Sequence, residues 1–485
     1  MTIEYWELPP GWKWATMGEV ADVIGGGTPK TNDSSNYEGG TIPWLTPADL
    51  SGYAAKTIGG GARYITKKGL ATSSAKLMPA GAVLFTSRAP IGYVAIASNP
   101  VCTNQGFKSF VLKNGLLPDY VYWWLKGSKN LAENMASGTT FLELSGAKVK
   151  MLPIPVPPID QQKRIVAEIE KQFSRLDGAV ANLNRAKANL KRYKAAVLKA
   201  AVEGRLVETE AVLARREGRN FETGEQFLER ILEARRNQWK GKGKYKEPAA
   251  PENCKLPELP EGWAYATADQ LTHENRAITY GVIKLGAPVA GGVPVLRSSD
   301  VRQLRLDLND VKRISPKIAE NYHRTSLKGG EVVLTVRGTL GGIAVVPDQC
   351  SGFNVSREVA MLALVDPTMA HLIAYFIASA PLQGWLMSRT KGIAYMGINI
   401  ETLKALPIPI PPAVERRRII TEVDRHLSLI READTQVITN IERSECLRTA
   451  MLSKVFAGIP ISNETILRPL KVRVKTDSRV GEGCR

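Results

Sequence analysis

A chain of 485 residues is too long for one ordinary core, and its length points to two to four domains. Its 44% hydrophobic and 23% charged residues are the proportions of a soluble globular protein, and no run of about 18 apolar residues is present to span a membrane. The formal net charge of +18 fits either plain solubility or a polyanionic partner such as nucleic acid, because Lys and Arg neutralise phosphates and release counterions.

The opening MTIEYWELPPGW has no basic-then-apolar leader, so the expected location is the cytoplasm. Cys102, Cys254, Cys350, Cys446 and Cys484 lie far apart with no C-x-x-C pair, which predicts neither a disulfide framework nor a zinc site. His273, His323, His371 and His426 are equally scattered and read as solvated or core positions.

Taken in order, the chain repeats itself. LPPGW (Leu8 to Trp12) returns as LPEGW (Leu259 to Trp263), and IPWLTPADL (Ile42 to Leu50) as VPVLRSSDV (Val293 to Val301). GAVLFTSRAPIGYVAIA (Gly81 to Ala97) aligns with GEVVLTVRGTLGGIAVV (Gly330 to Val346) without a gap over 17 positions. That alignment sets Thr86 on Thr335, Arg88 on Arg337 and Gly92 on Gly341. Val- and Ile-rich runs broken by Gly and Pro predict short strands with tight turns. One helix per copy is predicted, around Pro118 to Lys126 and around Ala370 to Ala378. Each copy therefore opens with a mostly-β domain of about 150 residues.

Each of these domains closes on a proline ladder, LPIPVPP at Leu152 and LPIPIPP at Leu406, 254 residues apart. Proline lacks an N–H and restricts the residue before it, so the ladder is not helical. A long apolar repeat follows each ladder: Val166, Ile169, Phe173, Leu176, Val180, Leu183, Leu190 and Val197, then Ile420, Val423, Leu427, Ile430, Val437, Ile441, Met451 and Val455. Lys187 and Lys194 interrupt the first series, and Asp434, Ser444 and Arg448 the second. A 3.5-residue period over five heptads predicts a coiled-coil seam, the alternative being an amphipathic helix lying on a globular core. Burial of each aliphatic seam residue contributes about 1.5–3 kcal/mol before entropy is deducted. From Asp160 to Glu203 the helix would run about 65 Å at 1.5 Å per residue. AVEGRL (Ala201 to Leu206) and VFAGIP (Val455 to Pro460) carry the glycines expected to stop the two helices.

Between the copies, Glu222 to Trp239 has helical spacing, and KGKGKYKEPAAPENCK follows as a basic linker. Lys240, Lys242, Lys244 and Lys246 read either as phosphate contacts or as a solvated flexible linker. The tail after Pro460 has no clear pattern, and loose order is expected there.

No catalytic constellation emerges. The chain has no G-x-x-x-x-G-K-[ST], H-E-x-x-H or G-x-S-x-G motif. GGGT (Gly25 to Thr28) and GGGA (Gly59 to Ala62) lack the strand-and-helix context of a dinucleotide site and read as turns. PPID (Pro157 to Asp160) is not the acidic-or-amide, Pro-Pro-aromatic loop of amino-methyltransferases. No cofactor is expected in this chain.

The opening LPxGW, the closing LPIPxPP with its helix, the E-G-R-L helix end and the duplication of the whole resemble the specificity (S) subunit of Type I restriction-modification enzymes. EQFLERILEARRNQW followed by KYKEPAAP is similar to the central conserved region of that family. The resemblance implies an α+β chain with a pseudo-two-fold internal repeat, in which two mostly-β target recognition domains alternate with two long helices paired as an antiparallel coiled coil. The recognition domains would be residues 1–155 and 256–408. Residues 156–255 would be the central helical region and linker, 409–459 the distal helix and 460–485 a tail. It implies a non-catalytic subunit, each half of which reads one part of a bipartite, asymmetric DNA site. The helices would set the gap and dock two modification (M) subunits. S-adenosylmethionine would sit on those subunits, and ATP and Mg on two restriction (R) subunits. A protein-only coiled-coil scaffold and a methyltransferase with a cryptic cofactor site are the alternatives.

Candidate DNA contacts are the polar breaks of the strand motif, Thr86, Ser87, Arg88, Thr335 and Arg337, together with Asn104, Gln105, Lys108, Arg297, Ser298, Ser356 and Arg357. Arg grips guanine bidentately, and Asn or Gln grips adenine. Arg88 and Arg337 occur in both halves and are the poorest carriers of different specificities; they read better as structural or phosphate-contacting residues.

Overall fold

The computed structural model describes residues 7–88, 90–138, 142–240, 244–252, 256–390 and 397–456. Lys242, Cys254, Cys484, the glycine of VFAGIP and the tail 460–485 lie outside the described residues. By contact the chain forms two units, residues 1–184 with 438–485, and residues 185–437.

The first unit is built on strands β1 (Lys13–Thr16), β2 (Ala21–Gly25), β3 (Ile42–Leu45), β4 (Thr57–Ile58), β5 (Tyr64–Ile65), β6 (Val83–Phe85), β7 (Val94–Ala97), β8 (Cys102–Thr103), β9 (Lys108–Leu112) and β10 (Pro153–Val156). Five strands form one sheet in the order β2-β9-β6-β7-β4, and three form another, β5-β3-β8. The proline ladder is β10, antiparallel to β1, with Trp14 opposite Pro155 and Thr16 opposite Pro153. Successive residues of a strand face opposite ways, so a donorless proline fits at alternate positions of a two-stranded edge. The freed carbonyls are used. That of Pro153 accepts from Trp124 Nε1 at 2.8 Å and that of Pro155 from the Tyr120 hydroxyl at 2.6 Å. Both donors come from the helix Pro118–Gly127.

The second unit repeats this plan with β11 (Ala264–Thr267), β12 (Thr279–Tyr280), β13 (Val293–Leu296), β14 (Val301–Arg302), β15 (Arg305–Leu306), β16 (Lys312–Ile314), β17 (Val332–Thr335), β18 (Ile343–Val345), β19 (Asn354–Val355), β20 (Val359–Leu362) and β21 (Pro407–Ile410). Its sheets run β12-β20-β17-β18 and β16-β13-β19, and its proline ladder β21 pairs with β11. The hairpin β14-β15 takes the place of β4: Gln303 bridges to Ile343 of β18. Helices Glu210–Glu217 and Gly224–Asn237 also belong here, with Phe227 and Ile231 buried in the same core as Trp263. The expected flexible linker is held more firmly than its composition implies. The Tyr245 ring meets Trp239 edge-on at 6.0 Å, and the Thr267 hydroxyl donates to the carbonyl of Ala249 at 3.0 Å.

The two long helices are Ile159–Val202 and Ala413–Phe456, each of 44 residues. In the first unit Ile169 and Phe173, from the opening turns of one, share a core with Met451, Leu452, Val455 and Phe456 from the closing turns of the other. In the second unit Val197 and Leu198 share a core with Ile419, Val423, Leu427 and Ile430. Start meets end both times, so the helices pair antiparallel. Arg448 lies over the Phe173 ring at 5.2 Å and pairs with Asp177, while Tyr193 and His426 Nδ1 are 2.7 Å apart. All sixteen apolar positions of the two repeats are buried or half-buried. Lys187 departs from the strict heptad: it is exposed, and Ala186 takes its inward place. Lys194, seven residues on, is half-buried again, so the departure is local to Lys187. Leu198, Val202, Leu452 and Phe456 are buried in addition, because the helix ends sink into the domain cores.

The junction between ladder and helix is tied from two sides. Trp12 of LPPGW donates through Nε1 to Gln161 Oε1 at 2.7 Å, and Trp263 of LPEGW donates to Glu415 Oε1 at 3.0 Å. In the first unit Gln162 is fully buried. It donates to the carbonyls of Pro157 and Gly115, both at 2.9 Å, and accepts from the N–H of Leu117 at 3.0 Å. Gln162→Ala is expected to lower stability by about 1–3 kcal/mol for each buried group that finds no new partner. The fall should appear as a lower denaturant midpoint with an unchanged slope. Truncation of the neighbouring Gln161, whose one bond is only partly buried, should cost clearly less.

Candidate nucleic-acid interface

In each unit the candidate residues converge where the turn after a central sheet strand, β6 or β17, meets the loop after a short parallel strand, β8 or β19. In the first unit these are the β6–β7 turn and the β8–β9 loop. Thr86 closes the turn: its hydroxyl donates to the carbonyl of Pro90 at 2.8 Å and accepts from the N–H of Tyr93 at 2.9 Å. Gly92, at φ +89°, lets the chain reverse there. The N–H groups of Ser87 and Arg88 both reach the carbonyl of Gly106, at 2.8 and 3.4 Å. Asn104 turns its Oδ1 back onto the N–H of Gly106 at 2.9 Å, and its own N–H bonds the carbonyl of Leu45 at 2.9 Å.

The second unit repeats these bonds with other side chains. The Thr335 hydroxyl accepts from the N–H of Gly342 at 2.9 Å, and Gly341 stands at φ +90°. The N–H groups of Val336 and Arg337 reach the carbonyl of Glu358 at 2.8 and 3.3 Å, and Ser356 N bonds the carbonyl of Leu296 at 2.8 Å. The bonding therefore equates Asn104 with Ser356, Gln105 with Arg357 and Gly106 with Glu358, an equivalence that no shared residue in the two loops reveals.

A glycine lets the end of the first sheet strand press on this loop. A Cβ at Gly26 would lie 1.8 Å from the carbonyl oxygen of Asn104, and one at Gly281 would lie 1.8 Å from that of Val355. Gly27 N and Val282 N complete the contact by bonding the carbonyls of Thr103 and Val355, at 2.9 and 2.8 Å. GGGT is thus a close-approach segment rather than a simple turn, and only the spacing problem, not a motif, marks Gly281 as its counterpart.

The candidates divide by exposure. Thr86, Ser87, Thr335 and Ser356 are buried and occupied within the frame. Arg297 makes a bidentate pair with Asp300, at 3.0 and 2.9 Å, and also donates to the carbonyl of Asp310 at 2.7 Å. Its hydrogen bonds to Asp300 hold the guanidinium pKa above its ordinary value. Asp49, the residue matching Asp300, receives the N–H groups of Thr46 and Ala62; these outweigh its burial and keep its carboxyl below the usual range. Ser298 donates to Glu358 Oε2 at 2.7 Å. Arg88, Gln105, Arg337 and Arg357 are exposed, and Lys108 is half-exposed opposite Gly25 of β2. Arg88 pairs with Glu143 at 3.0 Å, whereas Arg337 faces Gly397 at the equivalent bridge and lies over the Tyr280 ring at 5.4 Å. Among the described residues no group of three His, Cys, Asp or Glu side chains is placed to hold a metal ion.

The fold and the sequence have known relatives. A specificity subunit of Type I restriction enzyme MjaIX from Methanocaldococcus jannaschii is 41% identical over 162 residues, which span 33% of this chain and 37% of that protein. The Escherichia coli EcoBI specificity subunit is 24% identical over 74% of this chain and 70% of its own length. The EcoKI specificity subunit of Escherichia coli K12 is 22% identical over 93% of this chain and 90% of its own length. Among solved structures, a chain from a study of complex assembly and conformational transition in the type I R-M system superposes with a TM-score of 0.63 at 18% identity, over 93% of this chain and 99% of that one. The HsdS subunit of Thermoanaerobacter tengcongensis superposes with a TM-score of 0.50 at 17% identity, over 93% and 98% of the two chains. The model of the Type I restriction modification DNA specificity domain matches residues 9–192 and 288–443, and with it the chain belongs to that family.

Proposed function

We propose that this chain is the DNA sequence-specificity subunit of a Type I restriction-modification complex. Residues 1–155 and 256–408 act as its two recognition domains, each reading one part of a bipartite, asymmetric site. One observation carries this beyond the family assignment. The two units share one backbone frame, and at the exposed loop position of that frame they carry different side chains, Gln105 and Arg357. A duplicated reader with divergent exposed residues is what an asymmetric target requires.

Each long helix begins in one unit and ends in the other, which supports a role of the paired helices in setting the gap between half-sites. The helical regions dock two modification subunits, which carry S-adenosylmethionine, and two restriction subunits with ATP and Mg complete the complex. The chain itself performs no catalysis and acts in the cytoplasm; among the described residues no helix is long and apolar enough to cross a membrane.

With modification subunits present, DNA affinity should fall steeply with salt, by about 0.9 in the log–log slope for each phosphate neutralised. Arg88→Ala and Arg337→Ala should each weaken binding on all sequences alike and reduce that slope by about 1. A flat salt dependence would favour a protein-only scaffold. Equilibrium dialysis against S-adenosylmethionine should show no tight binding to the isolated chain; tight binding would instead make it a methyltransferase.

Four residues inserted near Leu190 add about 6 Å at 1.5 Å per residue. The preferred gap between half-sites should change, or paired-site binding should be lost. An unaltered gap would remove the helices from the role of spacer.

A further inference from the structure

Gln105 and Arg357 stand at one and the same place in the two units, and we infer that they are the paired specificity-determining residues of the two recognition domains, Gln105 directed to adenine and Arg357 to guanine. The inference rests on the DNA-reading function proposed above and narrows it to one position per half.

Within the shared frame the neighbouring polar groups are already engaged. The threonine hydroxyls of Thr86 and Thr335 are spent on closing their turns. Asn104 is folded back onto Gly106, and the Ser356 hydroxyl accepts from the N–H of Glu358 at 3.3 Å. Gly106 and Glu358 offer their carbonyls to the neighbouring turn. The residue between, Gln105 or Arg357, is the exposed one of each loop. The residues just before it are held from both sides, by the parallel strand pair β3–β8 or β13–β19 and by the glycine contact of Gly26 or Gly281. On so fixed a base docking needs no backbone ordering, and only the side chain's own rotamer freedom is lost, which suits direct readout.

The neighbour of each reader changes with it. Gly27 and Val282 make the same bond, so the next residues, Thr28 and Ile283, are equivalent. The Thr28 hydroxyl donates to Gln105 Oε1, which fixes the amide orientation and leaves its NH2 group to donate outward. Adenine asks for one donor and one acceptor, and the carboxamide oxygen keeps a second lone pair for it. At the equivalent place the second unit has Ile283, 51% exposed, whose side chain has no hydrogen-bonding group to engage the guanidinium. Two parallel N–H donors then match the O6 and N7 acceptors of guanine. Arg88 and Arg337, alike in both halves, cannot carry this difference.

The test is selection of bound duplexes from a random pool by the full chain with its modification subunits. Arg357→Gln should move one base pair of one half-site from G·C toward A·T, and Gln105→Arg should make the reverse change in the other half, each leaving the opposite half intact. Gln105→Ala and Arg357→Ala should relax that pair, with a loss of about 5- to 150-fold in discrimination. Both side chains are exposed, so melting temperatures should stay within a degree or two of the parent. A defined wild-type target that all four variants read unchanged, or a loss equal on every sequence, would overturn the assignment and leave the DNA-reading function standing. A wild-type complex with no sequence preference would overturn both.

Discussion

Everything in each unit depends on the zipper that joins its first strand to its last. β1 with β10, and β11 with β21, bring the start of a domain back to the point where its long helix departs. The prolines make this pairing one-sided. They remove the donors from one edge of the ladder, which discourages any further strand from adding there, and they fix the backbone dihedral just before the helix. The tryptophan of LPxGW then bonds the helix itself, at Gln161 or Glu415. A short loop of contacts thus runs from the first residues of the domain to the first turns of the helix, and the orientation of one fixes the other.

The two copies stabilise that junction by different means. In the first unit it is neutral, with Gln162 satisfying three backbone groups. In the second unit Arg416 stands at the same repeat position, its guanidinium 3.7 Å from the centre of the Phe227 ring, and charges gather beside it. Glu415 accepts from the N–H of Glu210 at 2.8 Å. Burial pushes the Glu415 carboxyl above its usual range in spite of that bond. Burial also opposes ionisation of Glu210, yet Arg418 at 2.7 Å and Arg219 at 2.5 Å outweigh it and hold that carboxyl low. Buried pairs of this kind add little net stability, because desolvation offsets much of their attraction. Here they tie the central helices Glu210–Glu217 and Gly224–Asn237 to one unit, so the duplication is not a repetition of identical parts.

The repeat, the proline ladders, the helices and the inward stripe were legible in the sequence because each is a local pattern with a period. Val166 to Val197 and Ile420 to Val455 announce a buried face by spacing alone. The interface was only half legible. Thr86 and Thr335 stand out as polar breaks in apolar runs, but the same signal marks a solvent-facing contact and a hydroxyl that closes a turn, and burial decides for the turn. The equivalence of Asn104 with Ser356 left no trace, because it is made by backbone N–H and C=O groups that any residue supplies. Gly281 is equally silent: a lone glycine in a loop gives no hint of the carbonyl packed against it.

That silence follows from how such a protein must be built. The frame of an adaptable reader has to be specified by groups that do not change when its target changes. Backbone bonds, buried threonines and glycine contacts meet that condition, since none of them depends on the exposed side chain in their midst. The exposed position is then released from any duty in folding, and can pass from glutamine with a threonine neighbour to arginine with an isoleucine neighbour at little cost to the core. Sequence divergence between the halves and likeness of their backbones are therefore two consequences of one division of labour, in which the main chain holds the position and the side chain alone carries the choice.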